Sequence, residues 1–421
     1  MISFLVIAIF ILFVILMISK KLPTLVALPF MAILIAIAAG VSGNDILNDI
    51  IGQGSFRLYA AIITTMFSAM FAQVINKTGI SSSIIRYVAE FGGDNPIIVA
   101  LFLTFATALV FTSVSGLGAV IMVGTITIPI MISVGISPVV SSILLIMGLN
   151  LGGLFNLSNY TFYSQILNIN VTYVRNCAFI LSVVNSIMII VYTLLNVKSS
   201  TNIFHCSVQS DYSNKKIRFY ALLTPILPIL LTFIWPLLFG SNINIISSLL
   251  IGTLYGIITT YPKKVLDLFT KSFFDGICDS SPAIALMISI GILLQTVTNE
   301  QVSSIVSPII IALVPTNKIT YVLIFLLCAP FALFRGPLNL FGLGSGVVSL
   351  MLMTNILNPL AILGAIMSVG AIQGICDPTN THNVWVANFT GIDTSRILKR
   401  SLPYCLLQVL INLIIMSILF V

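Results

Sequence analysis

The sequence predicts an all-α polytopic membrane protein built from two inverted-topology repeats, each with a re-entrant hairpin and a broken helix. Three observations carry this. The first is composition: of 421 residues, 58% are hydrophobic and 7% charged, and mean hydropathy is +1.16. A soluble domain carries about 25% charged residues, so this chain lacks the charge to cover a water-facing surface. The second is periodicity on the membrane scale, because apolar runs of about 20 residues recur from end to end. The third is internal repetition. "SPVVSSILLIMGLNLGGLFNLSNYT" (137–161) lies over "NPLAILGAIMSVGAIQGICDPTNTH" (358–382) at an offset of 221 residues without a gap. Pro138 falls on Pro359, Gly153 on Gly374, and the Asn156-Leu-Ser-Asn159 tetrad on Asp377-Pro-Thr-Asn380. At the same offset "TSVSGLGA" (112–119) lies over "LFRGPLNL" (333–340), and both are polar, Gly- or Pro-bearing breaks in apolar surroundings.

The elements follow in order. The first run, 1–19, has no basic leader and no small-residue cleavage site, so it reads as a first helix rather than a signal peptide. Two more helices start at Pro23 and Leu58. A hairpin over 96–134 follows, then a broken helix over 137–167 and a last helix over 173–196. The polar stretch "KSSTNIFHCSVQSDYSNKKIR" reads as a linker, with His205 as a solvated loop residue. Helices of the second half start near Phe219, Ile243 and Ser281. Its hairpin covers 319–355, its broken helix 359–389 and its last helix 402–421. The stretch 301–315 reads either as an interfacial helix or as part of the third span. The repeats are thus expected over 1–197 and 218–421, joined by a cytoplasmic linker over 198–217.

Charge orients this scheme. Five crossings per half, an odd number, turn the second half upside down. With the linker in the cytoplasm the inside set holds Lys20, Lys21, Lys77, Arg86, Lys198, Lys215, Lys216, Arg218, Lys263, Lys264, Lys271, Arg396, Lys399 and Arg400, which is 14 of the 18 basic residues. Arg57, Arg175 and Lys318 fall outside, and Arg335 is left within the membrane. The excess of basic residues inside selects this orientation over its mirror image, in a cell or inner membrane. It also accounts for the net charge of +7 without nucleic acid. The six cysteines, Cys177, Cys206, Cys278, Cys328, Cys376 and Cys405, are scattered and form no CxxC pair, so neither a metal cluster nor a disulfide framework is indicated.

The four breaks supply the candidate site. Free backbone groups at membrane depth persist only where they line a cavity or are buried in protein. Helix N-termini aimed at a cavity favour anions, and unwound carbonyls with side-chain oxygens suit a sodium ion or proton carrier. The first tip offers Ser113, Ser115, Gly116 and Gly118, for which small-residue packing is the plain alternative. The first unwound segment offers Asn156, Ser158, Asn159 and Thr161, whose alternative is local capping of a kink. The second tip offers Arg335, Gly336, Pro337 and Asn339. An arginine in the membrane needs a partner, and a substrate carboxylate in two-pronged contact is one. The second unwound segment offers Asp377, Thr379, Asn380, Thr381, His382 and Asn383. Asp377, with Asn380 and Thr381, is the expected seat of a coupling cation, and a structural ion pair with Arg335 is its alternative. Thr379, Asn380 and His382 are expected on the substrate, with His382 equally readable as a structural histidine.

With these residues in view, the chain resembles the ion transporter superfamily of citrate, dicarboxylate and gluconate permeases and divalent anion/sodium symporters. In that group a hairpin tip, often Ser-Asn-Thr, precedes a helix ending near a proline. Here Ser113-Val114-Ser115 is followed by "VGTITIPI", which contains Pro129, and a Gly-rich broken helix comes next in "GLNLGGLFNLSNYT". Neither tip reads Ser-Asn-Thr, and the second carries Arg335, so the family's sodium ligands do not transfer position by position. The resemblance implies a homodimer with a static scaffold and a moving transport domain. It implies cation-coupled transport of a small organic anion, with no cofactor beyond a possible sodium ion and no enzyme activity. A cation/proton antiporter using Asp377 is one rival. An intramembrane serine protease using Ser115 and His382 is another, although a protease has no use for a repeated site.

Overall fold

The computed structural model describes residues 2–19, 21–93, 95–197 and 217–421, without the side chains of Ile18, Ile309 and Arg335. Residues 198–216 of the expected linker, with His205, lie outside the described residues. Every regular element among those described is helical.

The first half opens with α1 (Ile2–Ile18) and α2 (Thr24–Ala38). A helical run follows, α3 (Gly43–Asp45), a π-helical stretch Ile46–Gln53 and α4 (Gly54–Phe56), and it leads into α5 (Tyr59–Thr78). Next come α6 (Ile80–Gly92), the hairpin arms α7 (Pro96–Phe111) and α8 (Leu117–Ser133), the broken helix α9 (Pro138–Gly153) and α10 (Leu157–Leu167), and α11 (Val171–Asn196). The second half has α12 (Leu227–Phe239), α13 (Ile245–Thr260), α14 (Val265–Thr298), α15 (Glu300–Leu313) and α16 (Lys318–Cys328). A 3-10 segment, Ala329–Arg335, leads into the second tip. The chain ends with α17 (Gly344–Met353), α18 (Pro359–Cys376), α19 (Thr381–Thr390) and α20 (Thr394–Phe420).

The offset of 221 orders every one of these pairs, α1 with α12 through α11 with α20. Two equivalent pairs, α5 with α14 and α11 with α20, pack antiparallel, as an inverted topology requires. In the α5–α14 pair Arg57 donates to Gln295 and Thr298 at one end, whereas Lys77 meets Asp275 and Gln73 meets Asp279 at the other. In the α11–α20 pair Gln408 bonds Asn185, and further along α11 Asn196 bonds Tyr404 and Arg400. Side-chain hydrogen bonds of this kind join helices where lipid gives no hydrophobic drive.

Small residues set the closest approaches. A Cβ on Gly291 would stand 2.3 Å from the Gly54 carbonyl, and one on Gly276 2.5 Å from the Met70 nitrogen. Both glycines therefore let α14 touch the backbone of the first half. α9 and α18 are apolar on all sides and lie at the centre of the molecule, while α1 and α12 carry many of the exposed side chains, such as Phe4 and Leu237. Among the described residues five helical stretches are long and apolar enough to cross a membrane, and α9 with α10, bent by 59°, is long and apolar enough when the two are taken together.

Two elements depart from the sequence reading, and a third decides between its alternatives. The third helix of the second half does not begin at Ser281, because α14 runs unbroken from Val265 through Pro282. Proline at 282 deprives the Cys278 carbonyl of its usual donor, and the Ser281 hydroxyl supplies one at 2.8 Å. α6 was not expected as a helix of its own. The stretch over 301–315 is the separate helix α15, and α6 is its repeat partner.

Candidate functional site

Local chemistry at the two unwound segments is the same turn written twice. Asn156 ends the first break. Its Oδ1 accepts from the Ser158 N–H at 3.1 Å and from the Ser158 hydroxyl at 2.6 Å. Asp377, its equivalent, accepts through Oδ1 from the Thr379 N–H at 2.9 Å and from the Thr379 hydroxyl at 2.7 Å. Each acceptor satisfies donors left free where the helix breaks. One position differs in charge only: an amide in the first repeat, a carboxylate in the second. Asp377 is 1% exposed.

Neighbouring amides complete the turns. Asn159 Nδ2 donates to the Gly153 carbonyl at 2.9 Å. Asn380 Oδ1 accepts from the His382 N–H at 3.2 Å and caps α19. Asn383 Nδ2 donates to the carbonyls of Asp377 and Ile375, while its buried Oδ1 has no partner among the described residues. Thr161 donates back to Leu157, and Thr381 and His382 open α19, the first exposed and the second half-buried. Local capping, the plain alternative for these residues, is thus what Asn156, Ser158, Asn159 and Asn380 do. It leaves Asp377 as a buried carboxylate in the frame.

The two breaks lie side by side. A Cβ on Gly374, in the last turn of α18, would come within 2.4 Å of Asn150 Oδ1 in the last turn of α9. Each hairpin's second arm packs on the outer part of the other repeat's broken helix, α8 on α19 and α17 on α10. Gly124 of α8 admits the Trp385 ring, and Phe341 at the second tip stacks on Phe162 with centroids 4.7 Å apart.

The tips divide the residues expected there. Ser113 is buried, and its hydroxyl bonds the Pro225 carbonyl of the second half, which anchors the tip. Ser115, Gly116 and Gly118 are exposed, and Gly116 adopts φ +89°, a conformation that favours glycine. At the second tip Asn339 is buried and holds the turn, accepting from the Phe341 N–H through Oδ1. Gly336 is required there, because a Cβ would stand 2.3 Å from the Phe331 carbonyl. Phe334, beside Arg335, sits at φ +56°, which costs a bulky residue about 1–2 kcal/mol. The Arg335 side chain lies outside the described part of the structure, and Pro337 is half-buried.

One carboxylate near the first tip escaped the sequence reading. Asp279 on α14 accepts from Gln73, and a Cβ on Gly118 would be 3.9 Å from its Oδ2. The available signal was Asp275 and Asp279 four residues apart in an apolar run, one face of a helix. Among the described residues no cluster of metal-ligating side chains occurs.

Two solved membrane transporters share this fold. The YdaH transporter of Alcanivorax borkumensis, whose crystal structure is described as revealing an unusual topology, superposes with a TM-score of 0.64 at 16% identity, over 87% of this chain and 86% of that one. MtrF of Neisseria gonorrhoeae, described as illuminating a class of antimetabolite efflux pumps, superposes with a TM-score of 0.65 at 14% identity, over 92% and 85%. At such identities the likeness is one of fold. It does not extend to the citrate, dicarboxylate and gluconate permeases that the sequence resembles. No protein-family profile matches the sequence, and no curated protein does.

Proposed function

We propose that the protein is a secondary active transporter of a small organic anion, a carboxylate, coupled to a proton or a sodium ion. The observation that carries this reading is the repeated turn at the breaks, where Asn156 and Asp377 hold the same position and only one of them has a charge. A structural cap does not need that charge, since Asn156 caps without it. A buried carboxylate in a membrane segment is by default a functional group. Asp377 serves as the seat of the coupling cation, with Asn380 and Thr381 beside it. Arg335 and the helix N-termini at the tips receive the anion, with Ser115, Gly116, Ser158 and Thr379. Ser113 and Asn339 hold the tips in shape. In this reading the two inverted halves expose the site to one side of a cell or inner membrane at a time, as a homodimer, with the linker in the cytoplasm. The ion transporter superfamily remains its proposed kinship.

A cation/proton antiporter is the second reading, and Asp377 favours it equally. The protease reading has nothing to favour it, because Ser115 and His382 make no hydrogen bond to each other among the described residues. Uptake of labelled carboxylates into proteoliposomes, with an imposed sodium gradient or pH gradient, separates the first two. Gradient-driven carboxylate accumulation that is abolished in Asp377→Asn supports the symporter. Sodium–proton exchange with no carboxylate requirement would replace it by the antiporter.

A further inference from the structure

The two halves pack alike in their frame helices and unlike around the breaks. α13 lies along α5 as α2 lies along α14, and α12 meets α13 as α1 meets α2. Around the breaks the match fails. α10 packs along α5 and α17 along α14, whereas the equivalent pairs, α19 with α14 and α8 with α5, barely meet among the described residues. The tips differ in the same sense: Ser115, Gly116 and Gly118 are exposed at the first, while Gly336, Leu338 and Asn339 are buried at the second. α5 ends beside the 197–217 joint, since a Cβ on Gly79 would stand 3.6 Å from Ile217 Cδ1, and Ser113 of the first tip bonds Pro225, a few residues past that joint. The molecule is therefore open toward the joint and closed at the far end, where α5 begins.

A hydrogen bond crosses the closed end from a broken helix to the frame. Ala61 lies in the first turn of α5, and Leu58 at the N-cap position has no side-chain acceptor for the free N–H groups there. Gln165, in the last turn of α10, supplies one: its Oε1 accepts from the Ala61 N–H at 2.7 Å. Ala61 is fully buried and Gln165 half-buried. A buried backbone N–H is nearly always matched by an acceptor, so the contact of α10 with α5 and this bond stand or fall together.

The repeat gives this bond no counterpart. At the offset of 221 Ala61 becomes Pro282, which has no N–H, and Gln165 becomes Val386, which has no side-chain acceptor. α14 also runs unbroken through 282, so no helix start stands there to be capped. Exchanging the packing of the two halves gives the arrangement open at the other end, reached when one part rocks against the other about a fixed site. In that arrangement α19 lies on α14 and α10 leaves α5. The bond is then lost and none replaces it.

We infer that Gln165 is a latch: its hydrogen bond to Ala61 holds α10 on α5 and favours the arrangement closed at the end remote from the joint. A contact made in one arrangement and missing from the other shifts the balance between them by its own free energy. One hydrogen bond changes that balance by a factor of about three to ten, which is a bias and not a lock. The inference rests on the transport reading for the existence of the second arrangement, and it requires neither the anion nor the coupling ion.

Hydrogen exchange of the purified full-length protein, read by mass spectrometry without substrate, tests this. Residues 336–343 at the second tip are buried or half-buried apart from Arg335 beside them, so their exchange reports how often the far end opens. Gln165→Leu removes the acceptor. Exchange at Ala61 then rises, and exchange over 336–343 rises by about threefold to tenfold, while the first tip, 115–119, stays level or slows. Gln165→Glu keeps an acceptor and adds negative charge at the start of α5, where the helix dipole favours it, so exchange over 336–343 stays level or falls. A merely structural role for the Gln165 amide gives no such opposition, and the Glu variant carries the test if Gln165→Leu does not fold. Unchanged exchange at Ala61 or over 336–343 in Gln165→Leu, a rise at both tips, or a rise over 336–343 in Gln165→Glu overturns the latch. Uptake plays no part in this readout, so failure of the latch and failure of the transport reading are told apart.

Discussion

Adjacent glycines at the first break make opposite predictions. Gly152 and Gly153 are both at the end of α9. A Cβ on Gly152 would stand 2.3 Å from the Ala108 carbonyl oxygen, 2.8 Å from Phe111 Cβ and 2.9 Å from the Phe111 carbonyl carbon. Two of these atoms are backbone of α7 and have no rotamer to change. Ordinary carbon–oxygen contacts begin at about 3.3 Å, so Gly152→Ala forces α7 and α9 apart by about 1 Å. Overpacking of this kind costs about 1–3 kcal/mol. The helix-propensity gain of about 0.5–1 kcal/mol from alanine offsets only part of it. A Cβ on Gly153 meets nothing nearer than Asn159 Nδ2 at 3.9 Å, so Gly153→Ala keeps the propensity gain and incurs no clash. The melting midpoint of purified protein in detergent should fall for Gly152→Ala and stay level or rise for Gly153→Ala. Uptake should fall further than stability does in Gly152→Ala, because α7 carries the first tip and a misplacement of about 1 Å at a site can cost about a hundredfold in rate. A Gly152→Ala protein that melts at or above the wild type, or a Gly153→Ala protein that melts below it, refutes the reasoning.

Three further outcomes are expected, the first from the turn at the second break and the other two from the proposed anion site and orientation. Asp377→Asn should melt close to the wild type, since the amide accepts from Thr379 as Asn156 does from Ser158, whereas Asp377→Ala loses the cap and about 0.5–2 kcal/mol; equal melting of the two variants would remove the turn from the account. Arg335→Lys should raise the apparent substrate constant by about tenfold or more with little change in folded yield, and an unchanged constant would take Arg335 out of the anion site. A cysteine placed at Ser210 in a cysteine-free background should resist impermeant thiol reagents in intact cells, and ready labelling from outside would overturn the proposed orientation.

The sequence by itself determined the fold class, the repeat and the breaks. These are readable because a membrane leaves no other home for seven per cent charge, and because proline, glycine and clustered amides mark where a helix must stop. A gapless offset of 221 survives from Pro138 and Pro359 out to the whole element order, since each half solves the same packing problem with the same succession of elements. Tertiary structure alone decided the rest. "CDSSPA" reads as a break, yet α14 passes through it, because the Ser281 hydroxyl answers the Cys278 carbonyl and Gly276 lets the helix lie on Met70. Ser113 looks like a ligand in sequence and is an anchor in space, since Pro225 is 112 residues away along the chain. Arg175 and Tyr160 look like an ordinary flanking arginine and a helix aromatic. That each brings a buried donor with no partner among the described residues depends on how α10, α11 and α12 meet, and hydrophobic pattern along one helix carries no record of what its neighbour leaves unbonded.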